Sequence, residues 1–466
     1  MPELVLALDV GTTSARAAVV GPDGGFLGLA ASPIASATPA PGLVEQDAEA
    51  VFQVTVAAAK RALAEAGRSA GDIAAIGLTT QRASAVLWDK TDGAPLSPLV
   101  VWNDLRGAAR AVELQAAGFP LAPQQAATKL EAMLAGLDAA PARIAWGAID
   151  SYLIFRLTGR ARHVTDRSQA WPTGYLAPPG FGWSETLIAH QKLDPAMFPN
   201  LIDTWGEIGA TDGALFGAEI PIRADIADQQ SALLAHGEAP GTAKITFGTA
   251  GAFDLATGDQ FLFPGPGTPP LIVSSVSGET RFCVEGMVLS AGAALDWARS
   301  AFELGDHAAF DALAGGVADT AGAAFLPALH GLGGPYPDPA RRGGVFGLTS
   351  AVGREHLARA TYEGLAFRAR EIVDHLYAAT PFERPPAIGV DGGLSRSPVF
   401  LQTLADLLAW PVRRHATPEA TALGAAMAAG LAAPAIRFEA VVEPRIGADE
   451  AEARFVAWRS LVYGGR

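Results

Sequence analysis

The stretch Leu4–Val20, LVLALDVGTTSARAAVV, restricts the fold more than any other. Two apolar runs, Leu4–Leu8 and Ala15–Val20, flank a polar hinge, Asp9-Val10-Gly11-Thr12-Thr13-Ser14. Runs this short and apolar suit buried strands. Gly11 permits a tight bend, so successive backbone N–H groups and three hydroxyls can face an anion. Asp9 ends the first strand, where a carboxylate can hold Mg²⁺ through water. The stretch therefore predicts a phosphate-handling hairpin. An ordinary turn capped by Thr and Ser would carry the same residues.

The second half opens in the same way. Ala243–Phe247 reads as a strand, Gly248-Thr249-Ala250-Gly251 as a polar turn, and Ala252–Ala256 as the returning strand. An echo at half the chain length predicts two related domains. The 466 residues also exceed what one hydrophobic core holds. The boundary is set at 238/239, giving domains 1–238 and 239–466.

Between these hairpins the pattern is α/β. Asp47 is placed to cap a helix that ends before Gly67, with Phe52, Val56, Ala59 and Leu63 on one face. Ile73–Thr79 reads as a strand emptying into Thr80-Gln81-Arg82, and Ala83–Trp88 as the next strand. Arg106–Gly136 reads as largely helical, and Trp146–Leu157 as one helix. Pro221–Ile226 leads into Asp228-Gln229-Gln230. Further strands and helices follow, with Asp391-Gly392-Gly393 at another strand end. In α/β sheets such ends face ligand.

The net charge of −14 argues against a nucleic-acid partner, which needs a basic face. It leaves room for a local anion pocket. A single cysteine, Cys283, excludes an internal disulfide and fits a reducing, cytoplasmic setting. The Ala-rich run Thr421–Ile436 is short of the roughly 20 apolar residues of a membrane span and reads as a buried helix. No histidine pair has metal-ligand spacing, so no structural zinc is expected.

These motifs, in this order, resemble the FGGY carbohydrate kinases of the actin-like ATPase superfamily, most closely the glycerol kinase branch. The match runs through ALDVGTTSARAAVV, PGLVEQDAEAVF, IAAIGLTTQR, VVWND, ATKL, IADQQ, ITFGTAGAF, GLGGPYPDPARRGGVFGLT and VDGG. The resemblance implies two actin-like, ribonuclease H-like domains with an ATP cleft between them, and transfer of phosphate from ATP with Mg²⁺ to a small polyol or sugar. Asp228 is then the catalytic base, and Asp9 the residue at the metal. Thr12, Thr13, Ser14 and Arg16 form the first phosphate loop, and Gly248 and Thr249 the second. Gly292, Gly392 and Gly393 wall the adenine and ribose pocket. Those glycines would equally serve packing alone. Arg82, Trp102, Asp228 and Gln229 match acceptor-binding residues, an arginine fork and an indole face being suited to a polyol. Family members are often dimers or tetramers, which leaves a homo-oligomer open.

The departures all fall on the acceptor side. Ala83 stands where glycerol kinase has Glu after Gln-Arg, Gln124 replaces a tyrosine, Ala132 replaces a tryptophan, and Arg106–Pro123 is shorter. Asn103-Asp104 after Trp102 is similar to the pentulose kinases such as xylulokinase, whereas Gln81-Arg82 favours the glycerol kinase branch. A missing hydrogen-bonding group can change discrimination by orders of magnitude. The expected acceptor is therefore altered, with four or five carbons filling the space at Ala83 and Gln124. A non-catalytic nucleotide or sugar sensor is the remaining alternative.

Overall fold

The computed structural model describes residues 3–431 and 436–464. They fall into two compact units. The first takes in Met1–Ala235, Leu271–Arg281 and Thr421–Ala435, and the second His236–Pro270, Phe282–Ala420 and Ile436–Arg466.

The first unit is built on a six-stranded sheet. β1 (Leu4–Val10) pairs antiparallel with β2 (Ser14–Val20), and β2 with β3 (Phe26–Pro33), which is the expected meander. On its other edge β1 runs parallel to β4 (Ile73–Thr80). β5 (Trp205–Ala210) is the outer strand, antiparallel to β6 (Pro221–Ala227), which lies parallel to β4. All seven residues of β1 are buried, so its apolar run needs cover on both faces. Part of that cover is α1 (Ala48–Glu65), capped by Asp47, whose carboxylate accepts the Ala50 N–H at 3.1 Å. The capping lowers the cost of orphan N–H groups at the helix start. Phe52, Val56, Ala59 and Leu63 are all buried, as their spacing predicts.

Three local expectations fail. The run Trp146–Leu157 is not one helix: Ile144–Gly147 is a strand paired antiparallel with Val86–Asp89, and only α2 (Ile149–Leu157) is helical. Ala148 is extended, and the Ile149 N–H is held by the Ser84 hydroxyl at 3.1 Å. Ala83 does not start a strand, because its φ is +54°, a left-handed turn before Val86. Arg106–Gly136 breaks into Ala108–Ala116 and Leu130–Leu134, since Pro120 and Pro123 interrupt any helix between them. α3 (Asp228–His236) follows β6 without a loop.

The second unit repeats the first unit's device. β7 (Ala243–Phe247) pairs antiparallel with β8 (Gly251–Gly258), and β8 with β9 (Glu279–Val288). β7 lies parallel to β10 (Ile388–Asp391), and β10 to β11 (Val412–His415), with β12 (Phe438–Val442) antiparallel beyond. In both units a hairpin's first strand takes a parallel partner from later in the chain. The helices α4 (Gly292–Ala301), α5 (Arg354–Ala378) and α6 (Pro398–Leu408) follow; α6 is capped by Ser397, with Pro398 at its first position. The Ala-rich run begins as α7 (Ala420–Ala428), where the Ser231 hydroxyl donates to the Thr421 carbonyl at 2.7 Å. Residues 432–435 of that run lie outside the described residues. α8 (Ala448–Tyr463) was not marked by the sequence pattern. Among the described residues no helix is long and apolar enough to cross a membrane.

Candidate active site

In the first unit, β1, β4 and β6 are adjacent and parallel, so their C-terminal ends open on one edge. Asp9 lies near the end of β1, Gln81 and Arg82 follow β4, and Asp228 follows β6. Register places Asp9 across from Arg16 on β2, with the Arg16 guanidinium 3.4 Å from the carboxylate. The hairpin turn closes through the Gly11 N–H donating to the Ser14 carbonyl at 3.0 Å. The Arg82 Nε lies 3.4 Å from Asp228 Oδ1, and the Gln229 N–H donates to that same oxygen at 2.8 Å. The Asp228 side chain is 23 % exposed, which leaves its carboxylate reachable by a substrate.

Trp102 joins this edge through a polar contact. Its indole N–H donates to the Thr12 hydroxyl at 3.1 Å, and that hydroxyl donates to Gln81 Oε1 at 3.1 Å. The turn that presents Trp102 is fixed by Lys129, whose ammonium donates to the carbonyls of Val101 at 3.0 Å and Trp102 at 3.2 Å. Burial pulls the Lys129 pKa down to about 7 against the pull of Asp104. Gln124 is half-buried in the loop after Pro123. Ala83 is buried beside Arg82, in the left-handed turn.

Behind Asp228 three carboxyls share one dry region. Asp150, Asp166 and Asp225 are each fully buried. The Asp166 N–H donates to Asp225 Oδ2 at 3.0 Å, and the hydroxyls of Thr165 and Thr204 donate to Asp150 and Asp166 at 2.6 and 2.8 Å. Burial raises Asp150 and Asp166 to about 6 each; burial, reinforced by the charges of the other two, lifts Asp225 well above the usual range. An unfolded chain sheds these protons near pH 4. The native state keeps them longer, so it binds more protons and its stability falls as pH rises from about 4 through 6 and beyond. Asp225→Asn mimics the protonated acid. It is expected to flatten that fall and to raise Tm at pH 8 by about 2–4 °C, the shift ~1 kcal/mol gives a domain of this size. Thermal melts from pH 4 to 8 check it; a wild-type Tm that climbs over this range contradicts the assignment.

In the second unit, the Gly248–Thr249 turn receives the start of α4. The Gly292 N–H donates to the Gly248 carbonyl at 2.9 Å, and the Ala291 and Ala293 N–H groups to the Thr249 carbonyl at 3.0 and 3.1 Å. A Cβ at Gly292 would lie 2.7 Å from the Gly248 carbonyl oxygen, so only glycine fits there. Gly392, at φ +85°, packs as closely on Phe247, whereas a Cβ at Gly393 would meet nothing within 4 Å. Gly248, Thr249, Gly292, Gly392 and Gly393 thus gather at one end of β7 and β10. Gly292 and Gly392 have a packing reason; Gly393 faces open space.

Among the described residues no three His, Cys, Asp or Glu side chains gather as a metal cluster. Asp9 offers a single carboxylate beside the hairpin turn. That donor set suits Mg²⁺ whose other ligands are phosphate oxygens and waters.

Residues 4–235 match the N-terminal domain of the FGGY family of carbohydrate kinases, and residues 243–433 its C-terminal domain. The glycerol kinase of Xanthobacter autotrophicus is 37% identical over 99% of both chains. That of Thermus brockianus is 35% identical over 98% of this chain and 97% of its own. The crystal structure of Plasmodium falciparum glycerol kinase with ADP superposes with a TM-score of 0.88 at 22% identity, covering 98% of this chain and 97% of that one. A xylulose kinase structure from Brucella ovis gives 0.84 at 26% identity, covering 98% of each. Two related sheets, each carrying its own glycine-turned hairpin, and full-length similarity of this kind have one meaning: the chain belongs to the FGGY family of carbohydrate kinases.

Proposed function

We propose that this phosphotransferase moves the γ-phosphate of ATP onto a hydroxyl of a small polyol or sugar, with Asp228 as the base. The observation that carries this reading is the Arg82–Asp228 pair, 3.4 Å apart at the ends of adjacent parallel strands. The guanidinium fork can donate to acceptor hydroxyls while the carboxylate accepts the proton of the attacking one. As that proton moves to Asp228, the acceptor oxygen bonds to the γ-phosphorus, the bond from that phosphorus to the β–γ bridging oxygen breaks, and ADP leaves. Trp102 supplies an apolar face for the carbon chain, and Gln229 a further polar contact. Thr12, Thr13, Ser14 and Arg16 hold the γ-phosphate. Gly248 and Thr249 serve the α- and β-phosphates, and Gly393 leaves room for the nucleoside beside Gly292 and Gly392. Asp9 would hold Mg²⁺, which offsets phosphate charge when bound.

The acceptor reading rests on Ala83. Its methyl replaces a side chain that could accept hydroxyl protons, and its left-handed turn sits directly beside Arg82. A wild-type panel of glycerol, erythritol and D-xylulose with ATP and Mg²⁺ is expected to rank a longer acceptor above glycerol by kcat/KM. Ala83→Glu is expected to shift the ratio toward glycerol by about tenfold or more, as a restored hydrogen bond does. Glycerol emerging as the best wild-type acceptor defeats the altered pocket while leaving the kinase intact. The Asn103-Asp104 pair after Trp102 supports a pentulose as the second reading.

A further inference from the structure

A buried polar chain links the first hairpin to the acceptor wall. Gln46 is 3 % and Gln81 1 % exposed. Gln46 Nε2 donates to the Thr12 carbonyl at 2.6 Å and to the Ser36 hydroxyl at 2.9 Å. Gln81 Nε2 donates to Gln46 Oε1 at 3.1 Å. Gln81 Oε1 accepts from the Thr12 hydroxyl, and that hydroxyl accepts from the Trp102 indole, both at 3.1 Å.

The direction of every bond in this chain is forced. A backbone carbonyl only accepts, so Gln46 must turn its nitrogen to Thr12. Its oxygen then faces Gln81, which must offer its own nitrogen. The Gln81 oxygen is left for the one hydroxyl proton of Thr12. An indole only donates, and it meets the remaining lone pair. Flipping the Gln46 amide sets like against like at two contacts, Thr12 and Gln81, and flipping the Gln81 amide sets its oxygen against that of Gln46. In a buried setting each such mismatch is costly.

Resting on the kinase reading above, we propose that Gln46 is a positioning residue for phosphate transfer. Through Gln81 and Thr12 it orients the first phosphate loop and the Trp102 indole together. Two properties follow. The Thr12 carbonyl is tied down, so the loop meets the γ-phosphate in one conformation. Trp102 is held by that same hydroxyl, so the acceptor wall and the phosphate loop are not set independently.

The hydrogen bonds of Gln46 and Trp102 meet only through Gln81 and Thr12, so a double-mutant cycle between them tests the chain. Gln46→Leu removes the polar end, and Trp102→Phe keeps the aromatic face without the N–H. The full-length protein is titrated with Mg·AMPPNP and with Mg·ADP, without acceptor. Gln46→Leu is expected to weaken AMPPNP about tenfold with ADP changed less than about twofold, because the chain ends at the γ-phosphate loop; the double variant is expected to be no weaker than Gln46→Leu alone, the signature of coupled sites. Gln46→Glu, which keeps an oxygen for Gln81 but sets a carboxylate against the Thr12 carbonyl, is expected to weaken AMPPNP likewise. It replaces Gln46→Leu in the cycle if that variant does not fold. Multiplicative effects, or equal loss of ADP and AMPPNP in the Gln46 variants, overturn the proposal and leave the kinase standing. A wild-type protein that binds neither nucleotide removes the kinase reading and this proposal with it.

Discussion

Asp228→Asn is expected to lower kcat by about a thousandfold or more, in the range that removal of a positioned base gives, while ADP binds within about threefold of wild type. The geometry makes this substitution a clean one. Asn keeps the oxygen that accepts the Gln229 N–H, now at 2.8 Å, so the start of α3 retains that contact. What it loses is the negative charge facing Arg82 Nε and the capacity to take a proton. Arg82, 12 % exposed, then keeps the hydroxyl-donating role proposed for it but has no carboxylate beside it to receive a proton. KM for the acceptor is expected to change less than kcat, since hydrogen bonding to a ground-state hydroxyl survives in the amide. Coupled-assay turnover and ADP calorimetry on the same preparation separate the two effects. Near-normal turnover in Asp228→Asn would assign the proton to another group.

The residues that set this geometry were unequally legible in the sequence. The hairpin could be read because its signal is local: six apolar residues and an aspartate, a glycine, three hydroxyls and six more residues, all within seventeen positions. Asp47 and Gly67 were legible for the same reason, a cap and a stop spaced as one helix requires. The alternation of strand and helix then fixed which loops would lie at the ends of parallel strands, and Arg82 and Asp228 do meet there. Trp146 misled because an apolar run satisfies strand and helix alike; its pairing partner, Val86–Asp89, is far away in sequence and decided the outcome. Ala83 misled because a positive φ at alanine leaves no mark in the pattern. Lys129, Gln46 and Gln81 all sit inside the family-like motifs, yet no local pattern assigns them a role. Apart from Ser36, their side-chain partners are 27 to 69 positions away, and only folding brings those together. The three buried aspartates were invisible for the same reason, coming from α2, the start of the segment after Thr165, and β6.

Lys244→Met is expected to destabilise the protein by roughly 3–5 kcal/mol, the usual loss when one member of a buried ion pair is removed. Lys244 on β7 stands directly across from Asp254 on β8, and Asp254 across from Glu285 on β9. The ammonium lies 2.8 Å from Asp254 Oδ2 and donates to the Thr246 hydroxyl at 2.7 Å, with the two side chains 0 % and 1 % exposed. Burial pulls the Lys244 pKa down, but the carboxylates of Asp254, Asp391 and Glu285 outweigh it and hold the pKa above its ordinary value. Because the folded value lies above the unfolded one, the stabilisation is complete below about pH 10 and fades only above it. Lys244 itself should therefore stay charged at both pH 6 and pH 8, so any difference between the two pH values in Lys244→Met comes from the carboxylates left without their cation. Methionine fills the space of the lysine stem but leaves Asp254 and Glu285 close together without their cation. Lys244→Met/Asp254→Leu removes one carboxylate as well and is expected to recover most of the stability, since an apolar pair of similar volume replaces a buried ion pair at little net cost. Urea unfolding of the single and double variants at both pH values tests this. β7 runs straight into Gly248 and Thr249, so nucleotide affinity should fall with stability in Lys244→Met and return in the double variant. A single variant within 1 kcal/mol of wild type would mean that the carboxylates relax or take up protons without the lysine.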